Sequence, residues 1–306
     1  MKKIIKIATR KSELALWQAN HVAGLLCDLH PGLKVELLPM VTQGDIILDQ
    51  PLAKIGGKGL FMKELERSLL REDADIAVHS MKDVPVEEAP GLAVDIVLKR
   101  ANPFDALLSH SGQSLAQLPA GSRIGTSSLR RQCQLKSLRP DLEVADLRGN
   151  VNTRIRRLRG SEFDAIILAC AGLERLGLDG LVTEVLGPPN WLPAPAQGTI
   201  GVQCRKDDHA VSDLIQPLLH QETALRTQAE RSVATLLQGS CQVPLAVFAE
   251  ICGNKLQITG LVGTPDGQTV LRSEISGEAS NVAGLSAKIA EDLLGQGANR
   301  IIASLA

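Results

Sequence analysis

Segments patterned as strands and as helices alternate through the first half of the chain. The first helix is predicted to begin after Ser12, which can cap it, and to end before Pro31. Strands separated by helices of this length favour parallel α/β packing, and the repeated order favours two similar lobes. The predicted strands cover residues 3–8, 34–41, 75–79, 92–98, 122–125, 142–147 and 163–169, and the later helices cover 60–71, 129–138 and 151–159.

The pattern changes after a loop that contains four prolines between residues 188 and 195. One helix is predicted at 221–237, followed by strands in hairpin order at 243–250, 255–262 and 269–275. Ser280 can cap a closing helix. Three consecutive strands with flanking helices predict a small α+β domain.

Positive charge is concentrated in one segment of a nearly neutral chain. The 306 residues carry 33 Lys and Arg against 34 Asp and Glu, so the net charge is −1. Between Arg123 and Arg159, nine Arg and one Lys stand against three acidic residues, a local balance of +7. The nearly neutral total charge argues against a generic polycation binder. The local excess of positive charge predicts a site for anions.

Two turns in this segment have the pattern of anion sites. The turn 125–131 follows a strand and opens a helix, so that unpaired backbone N–H groups, hydroxyls and two arginines meet there. The turn 148–154 repeats this pattern, and Arg binds carboxylates and phosphates bidentately. The alternative is a pair of capped surface helices with solvated arginines. Arg156, Arg157 and Arg159 are expected to form such a solvated face.

Two further stretches precede this segment. Residues 56–59 form a glycine-rich loop that lacks the spacing of a nucleotide site, and a hinge or lid carrying Lys54 and Lys58 fits it better. Lys82 and Asp83 follow an apolar strand, which places them where open α/β sheets bind ligands. The alternative for Asp83 is a turn residue before Pro85.

The six cysteines contain no C-x-x-C pair, so no metal site is expected, and free thiols in a reducing cytosol are the simplest interpretation. Cys241 is expected to be the one thiol exposed by a tight turn, and the alternative is a bystander thiol. The uncharged run before Cys204 contains prolines, so no membrane span is expected.

These stretches, in this order and with these gaps, resemble the hydroxymethylbilane synthase family, also called porphobilinogen deaminases, and in particular its bacterial members. The resemblance spans nearly the whole chain and includes residues 7–12, 54–61, 79–85, 125–132, 148–154 and 241–244. Two positions depart from the family pattern, since Ser240 stands where Gly is usual and Thr199 where Ala is common.

The resemblance implies a cytoplasmic, monomeric transferase of tetrapyrrole (heme) biosynthesis. Such an enzyme joins four porphobilinogen molecules head to tail, loses ammonia at each coupling, and releases hydroxymethylbilane by hydrolysis. The implied cofactor is a dipyrromethane primer held by a thioether at Cys241. The implied partners are porphobilinogen and polypyrrole intermediates, with no nucleic acid, membrane or metal.

The fold that the resemblance implies is α/β, with two periplasmic-binding-protein-like lobes of mixed sheets around a cleft and a C-terminal α+β domain. The first lobe is expected to take residues 1–99 with 199–216, the second 100–198, and the C-terminal domain 217–306. The first lobe thus reclaims a later segment, which the pattern of strands and helices does not indicate.

The resemblance also implies roles for individual residues. Asp83 is the implied catalytic residue, because a carboxylate beside a pyrrole N–H stabilises the cation that loss of ammonia leaves. The implied cofactor-binding residues are Lys82, Asp83, Thr126, Ser128, Arg130, Arg131, Arg148 and Gly149, with Cys241 as the covalent attachment. The implied substrate-binding residues are Arg10, Ser12, Lys54, Lys58, Phe61, Ser80, Arg148, Arg154, Gly172, Arg175 and Gln197.

Two other classes of function use parts of the same pattern. A solute-binding module with the same lobes would need anion sites but no exposed cysteine, and it would usually carry a signal peptide. A nucleic-acid regulator would use the basic segment, although aromatic residues for base stacking make up only 2% of the chain.

Overall fold

The computed structural model describes residues 2–42, 44, 62–238 and 243–305. The strands are β1 (Ile4–Arg10), β2 (Lys34–Met40), β3 (Ile76–Ser80), β4 (Leu92–Val97), β5 (Asp105–Ser109), β6 (Arg123–Gly125), β7 (Glu143–Ala145), β8 (Ala165–Ala169), β9 (Glu184–Leu186), β10 (Ile200–Arg205), β11 (Leu245–Cys252), β12 (Lys255–Gly263) and β13 (Val270–Glu278). The helices are α1 (Glu13–Leu29), α2 (Lys63–Leu70), α3 (Leu129–Leu138), α4 (Val151–Arg159), α5 (Cys170–Arg175), α6 (His209–Ile215), α7 (Gln221–Leu236), α8 (Val282–Gly295) and α9 (Ala298–Ala303).

The predicted start of the first helix is confirmed. Ser12 caps α1, and its hydroxyl accepts a hydrogen bond from the backbone N–H of Ala15 at 3.4 Å. Ala19, Val22 and Leu26 recur at helical spacing on the buried face of α1. The helix ends at Leu29, just before Pro31, as the sequence predicts.

The described residues divide into two compact units. The first comprises the described residues up to Ala101 together with Gly198–Ala224, and the second comprises Asn102–Gln197 together with the described residues from Leu225 onward. The later segment that returns to the first unit contains β10, α6 and the start of α7. The division into three domains that the sequence analysis gives stays a prediction.

The first unit contains a five-stranded sheet in the order β2-β1-β3-β10-β4. Strands β2, β1 and β3 are parallel, whereas β10 is antiparallel to both of its neighbours. The parallel packing expected from the alternation is therefore confirmed for β2, β1 and β3, whereas the antiparallel β10 makes the sheet mixed, as the resemblance implies. The reason is that β10 comes from a distant part of the chain and needs no crossover helix to enter the sheet.

The second unit repeats this arrangement in the order β7-β6-β8-β5-β9. Strands β7, β6 and β8 are parallel, β5 is antiparallel to β8, and β9 is antiparallel to β5. The prediction of two similar lobes is confirmed at the level of strand order and direction. Both sheets are packed on cores of aliphatic side chains, as the scarcity of aromatic residues requires.

A third sheet, in the order β11-β12-β13, belongs to the second unit and is built from two hairpins. Helix α8 packs on it, which confirms the predicted α+β pattern. The turn between β12 and β13 lies directly on the backbone of α3. Gly267 has a φ of +69° there, and a Cβ at this position would lie 2.8 Å from the carbonyl oxygen of Cys133. Only glycine fits a turn so close to another backbone.

We expect Gly267→Ala to destabilise the protein much more than Gly253→Ala. Both glycines lie in hairpin turns of the same sheet with positive φ, but a Cβ at Gly253 would meet nothing within 4 Å. Gly253→Ala should therefore cost only the left-handed strain, about 1 kcal/mol. Gly267→Ala must also push the turn off α3. Denaturant unfolding of both variants measures the difference, and equal losses would contradict the close packing.

Candidate functional site

One pocket of the first unit lies where β1 and β3 end. The two strands are parallel neighbours, so their carboxyl ends meet at the same edge of the sheet. Strand β1 leads through Arg10 to the Ser12 cap of α1, and β3 leads through Ser80 into a 3-10 turn, Met81–Asp83. The pocket is lined by four of the predicted site residues, Arg10, Ser12, Ser80 and Asp83. Lys82 lies half-buried in the 3-10 turn.

Gln18 supports this pocket from α1. Its side chain is 3% exposed, and its Nε2 donates a hydrogen bond to the hydroxyl of Ser80 at 2.9 Å. The sequence analysis missed Gln18. The available signal was its place among Ala15, Ala19 and Val22, where an uncharged polar residue on a buried helix face needs a partner.

His79 is the second polar residue of the pocket that the sequence analysis left without a role. Its Nε2 lies 2.9 Å from Oε1 of Gln203, so we assign the ring proton to Nε2. Burial lowers the pKa of His79 to about 4, while the nearby Asp83 carboxylate opposes this shift and Arg10 reinforces it. His79 is therefore neutral at neutral pH. Asp83 is exposed and lines the same pocket as Arg10.

Thr199 lies just before β10 and is one of the two positions that depart from the family pattern. It positions the turn that carries Asp83. Its carbonyl oxygen accepts a hydrogen bond from the N–H of Met81 at 3.0 Å. The side chain is 1% exposed, and its hydroxyl has no partner among the described residues. The backbone of this position therefore positions the turn, and an Ala side chain would serve equally well.

Three helix starts share one edge of the second unit's sheet. Parallel strands β6, β7 and β8 lead into α3, α4 and α5, respectively. The first turn of a helix presents N–H groups that have no acceptor within the helix itself, together with the positive end of the helix dipole. The predicted residues fall on these helices and the turns before them: Thr126, Ser128, Arg130 and Arg131 at α3, Arg148, Gly149 and Arg154 at α4, and Gly172 and Arg175 in α5.

The turn before α3 is fixed by its hydroxyl groups. Ser127 donates to the carbonyl oxygen of Leu147 at 3.2 Å and accepts from its N–H at 3.0 Å. Thr126 accepts from the N–H of Ser128 at 3.3 Å. The hydroxyl of Ser128, at the N-cap position, makes no capping bond with the helix.

The turn before α4 requires glycine. Gly149 has a φ of +107°, and a Cβ there would lie 2.8 Å from the side chain of Thr153. Asn150 caps the helix by accepting from the N–H of Thr153 at 2.8 Å. Nε of Arg154 donates to the carbonyl oxygen of Gly149 at 2.8 Å, which holds the guanidinium beside the turn.

Arg175 is the last residue of α5 and is half-buried. Burial lowers its pKa to about 10. The guanidinium is therefore still protonated at neutral pH, and it adds a positive charge to this unit.

Arg130, Arg131 and Gln197 converge on a residue that the sequence analysis missed. Asp105, the first residue of β5, is fully buried. Its carboxylate lies 2.7 Å from Nη1 of Arg130 and 2.7 Å from Nη2 of Arg131, and it accepts from Nε2 of Gln197 at 2.9 Å. Burial opposes ionisation of Asp105, but the two guanidinium groups outweigh it and hold its pKa below the usual range. A lone Asp opening an apolar strand was the available signal.

The expected solvated face of α4 is only partly correct. Arg156 and Arg159 are exposed, as predicted. Arg157 is half-buried, since its Nε lies 2.8 Å from Oε2 of Glu162 and its guanidinium lies 5.1 Å from the ring centre of Phe163. The aromatic face and the carboxylate together hold this arginine against the protein.

The expectation that one cysteine alone is exposed is wrong. Cys27 and Cys252 are both exposed. Cys133, Cys170 and Cys204 are buried, and burial raises the pKa of the first two thiols to about 12. Exposure by itself therefore does not distinguish one thiol from the others.

Several predicted site residues lie outside the described residues, namely Lys54, Lys58, Phe61 and Cys241, together with the loop 56–59 and Ser240. Within the described ranges, no group of three or more His, Cys, Asp or Glu side chains could hold a metal ion. No helix of the described chain is long and apolar enough to cross a membrane.

Two family models match the chain. Residues 5–213 match the model described as "Porphobilinogen deaminase, dipyromethane cofactor binding domain", and residues 224–295 match "Porphobilinogen deaminase, C-terminal domain". Together they cover nearly the whole chain, as the resemblance predicts.

Solved structures with similar coordinates include solute-binding proteins. The extracellular-binding protein YtmK of Bacillus subtilis, a probable part of an amino-acid ABC transporter, is 14% identical, with 75% of this chain and 97% of that chain covered and a TM-score of 0.43. An arginine-specific periplasmic binding protein of Salmonella typhimurium is 13% identical, with 73% and 94% covered and a TM-score of 0.40.

We expect the pocket histidine to make stability depend on pH. The pKa of His79 is about 4 in the folded protein and about 6.5 when unfolded, so only the unfolded chain takes up its proton between these values. The free energy of unfolding should therefore fall as the pH drops from 6.5 to 4, by on the order of 3 kcal/mol from this group. His79→Gln, which cannot titrate, should lose less over that range. Urea unfolding at several pH values measures this, and parallel curves for both proteins would contradict it.

Proposed function

Because the chain belongs to the porphobilinogen deaminase family, we propose that it joins four porphobilinogen molecules head to tail on a dipyrromethane primer and releases hydroxymethylbilane by hydrolysis. One ammonia leaves at each coupling. The family consists of transferases of tetrapyrrole biosynthesis. The observation that carries the proposal is the match of both family models over nearly the whole chain, one of them a domain that binds this cofactor.

The donor groups of the second unit fit a ligand rich in carboxylates. Each pyrrole ring of the substrate carries an acetate and a propionate, and such groups need charge-assisted hydrogen bonds. Arg148 and Arg154 supply positive charge near the edge where α4 begins, and Thr126 and Ser128 supply hydroxyls before α3. Arg175 supplies a further charge at the end of α5. We infer that these residues hold the carboxylates of the primer and of the growing chain.

Cys241 is the residue that we assign to covalent attachment, through a thioether on its sulfur. When bound, the dipyrromethane supplies the ring carbon to which each new pyrrole unit is joined. No protein side chain is then needed as the nucleophile.

Asp83 is the residue that we assign to catalysis. When ammonia leaves the aminomethyl group of porphobilinogen, the electron pair of the broken C–N bond departs with it, and a cation remains that is delocalised into the pyrrole ring. A carboxylate at the pyrrole N–H stabilises this cation and can accept the proton that the ring gives up. Asp83 is exposed at the end of the 3-10 turn and can meet a substrate there.

The other polar residues of this pocket would bind and orient the substrate. Arg10 can pair with a substrate carboxylate, and the hydroxyls of Ser12 and Ser80 can donate hydrogen bonds to it. Since His79 is neutral, it leaves Arg10 and Asp83 as the charged groups that line this pocket within the described residues. Gln18 fixes the hydroxyl of Ser80 and so supports the binding residues.

The family relationship also supports the remaining parts of the proposal. We infer that the protein acts as a monomer in the cytoplasm, on porphobilinogen and its polypyrrole intermediates, and without nucleic acid. A solute-binding module would bind a ligand reversibly and would release no ammonia, so the products of the reaction distinguish it from this transferase.

We expect intact-mass measurement to find a two-pyrrole adduct on the purified protein, and Cys241→Ser to lack it. Cys27→Ser and Cys252→Ser are matched controls, since both remove an exposed thiol, and both should keep the adduct. A wild-type mass equal to that of the bare chain, in protein that turns over porphobilinogen, would rule out the covalent cofactor.

We expect Asp83→Asn to lower turnover by on the order of 10²-fold or more, because one preorganised charge at the developing cation is lost. The melting temperature should change little, because the side chain is exposed. Asp73→Asn, which removes another exposed carboxylate of the same unit outside the pocket, should keep normal turnover. Ammonia release measures both variants. Near-normal turnover of Asp83→Asn would reject its catalytic role.

A further inference from the structure

Asp105 lies at the strand edge where the helices of the second unit begin. It is the first residue of β5 and pairs with Ala169, the last residue of β8 before α5. Its side chain is fully buried and accepts hydrogen bonds from four residues. Arg130 donates to both carboxylate oxygens at 2.7 and 3.3 Å, Arg131 at 2.7 Å, Trp191 at 2.8 Å and Gln197 at 2.9 Å.

The charges of this buried cluster do not balance. Two guanidinium groups share one carboxylate, which leaves a single surplus positive charge among Asp105, Arg130 and Arg131. Among the described residues, the other groups that hydrogen-bond to these three side chains are neutral, namely Trp191, Gln197 and the backbone carbonyls of Ile167 and Leu192. The thiol of Cys170 is also neutral, because burial raises its pKa to about 12 and the negative charge of Asp105 acts in the same direction.

One hydrogen-bond donor of the cluster, the Nε–H of Arg131, has no acceptor within the described residues. Arg131 is 5% exposed, and its Nε–H is buried. A surplus charge in a dry interior is costly unless an anion offsets it. Both arginines lie in the first turn of α3, so this charge adds to the positive end of the helix dipole beside Thr126 and Ser128.

We propose that Asp105 is a positioning residue for carboxylate binding, which fixes Arg130 and Arg131 at the start of α3 and leaves one of their two charges uncompensated. The carboxylates are those of the pyrrole chain, so this inference rests on the proposed function. Both Nη atoms of Arg130 are engaged by the carboxylate of Asp105. Arg130 therefore acts on the ligand chiefly through the positive charge of the cluster. The hydroxyls and N–H groups of the turn make the direct contacts.

The test changes the charge of the cluster while keeping a polar side chain at each position. Arg131→Gln removes the surplus, and Asp105→Asn/Arg131→Gln restores it with Arg130 as the only ion. Arg131→Gln should raise KM for porphobilinogen by on the order of tenfold and lower the fraction of purified protein that carries the adduct in intact-mass measurement. The double variant should recover most of both losses, although it lacks two buried ionic groups.

A purely structural cluster predicts the opposite order, because the double variant then has the most contacts removed. A double variant that is folded by its melting curve and no better than Arg131→Gln would overturn the proposal. If the double variant does not fold, Arg131→Lys decides, because it keeps the charge and should raise KM less than Arg131→Gln. Equal KM values in these two variants would overturn the proposal as well.

Arg139→Gln is the matched control. Arg139 is another arginine of this unit that pairs with an acid, Asp141, and donates to carbonyl oxygens of Leu115 and Leu118. Its loss should lower the melting temperature and leave KM unchanged.

A wild-type protein that carries no adduct and does not turn over porphobilinogen would contradict the proposed function instead. An active wild type with an unaffected Arg131→Gln would contradict only the role of Asp105.

Discussion

Repulsion among arginines is the constraint that the second unit has to satisfy. A surplus of seven positive charges between residues 123 and 159 would force its own segment apart if the guanidinium groups faced one another directly. The structure separates them. Arg139 pairs with Asp141, Arg157 pairs with Glu162 and covers Phe163, and Arg130 shares Asp105 with its neighbour. The paired carboxylates and the aromatic face thereby offset part of the repulsion.

The two units use one strand arrangement for two kinds of chemistry. In each, parallel strands end at a common edge, and the turns that follow carry the polar side chains. The first unit places the exposed carboxylate of Asp83 near Arg10 and a neutral His79. The second places hydroxyls and arginines at helix starts. The repeated sheet therefore serves as a scaffold, and the residues at the strand ends set the chemistry.

The sequence predicted most of the elements that have a clear period, and it missed those that do not. Helix α3 has the predicted bounds, and α1 has the predicted cap. Strands β5, β9 and β10 were missed, because each pairs antiparallel with strands that lie far away in the chain. Antiparallel pairing between distant segments leaves no local pattern, so the position of β10 in the sheet could only come from the structure.

The candidate site divides in the same way. The motifs located the strand ends, because glycines, hydroxyls and arginines cluster there in the sequence. They did not reveal Gln18, Gln203 or Asp105, since each acts by contacting residues far away in the chain. Nor could they show that Arg130 turns inward. A buried ion pair depends on which side chains face one another, and residue type alone does not determine that.

The central place of β10 has a consequence for synthesis on the ribosome. Strand β10 lies between β3 and β4, and within the described chain β4 pairs with no other strand. Residues 76–97 therefore leave the ribosome long before Ile200–Arg205 can join them. All five strands of the second sheet, by contrast, precede β10 in the chain. The amino-terminal sheet can thus be completed only after the later sheet has been translated, and its half-built edge must stay soluble until then.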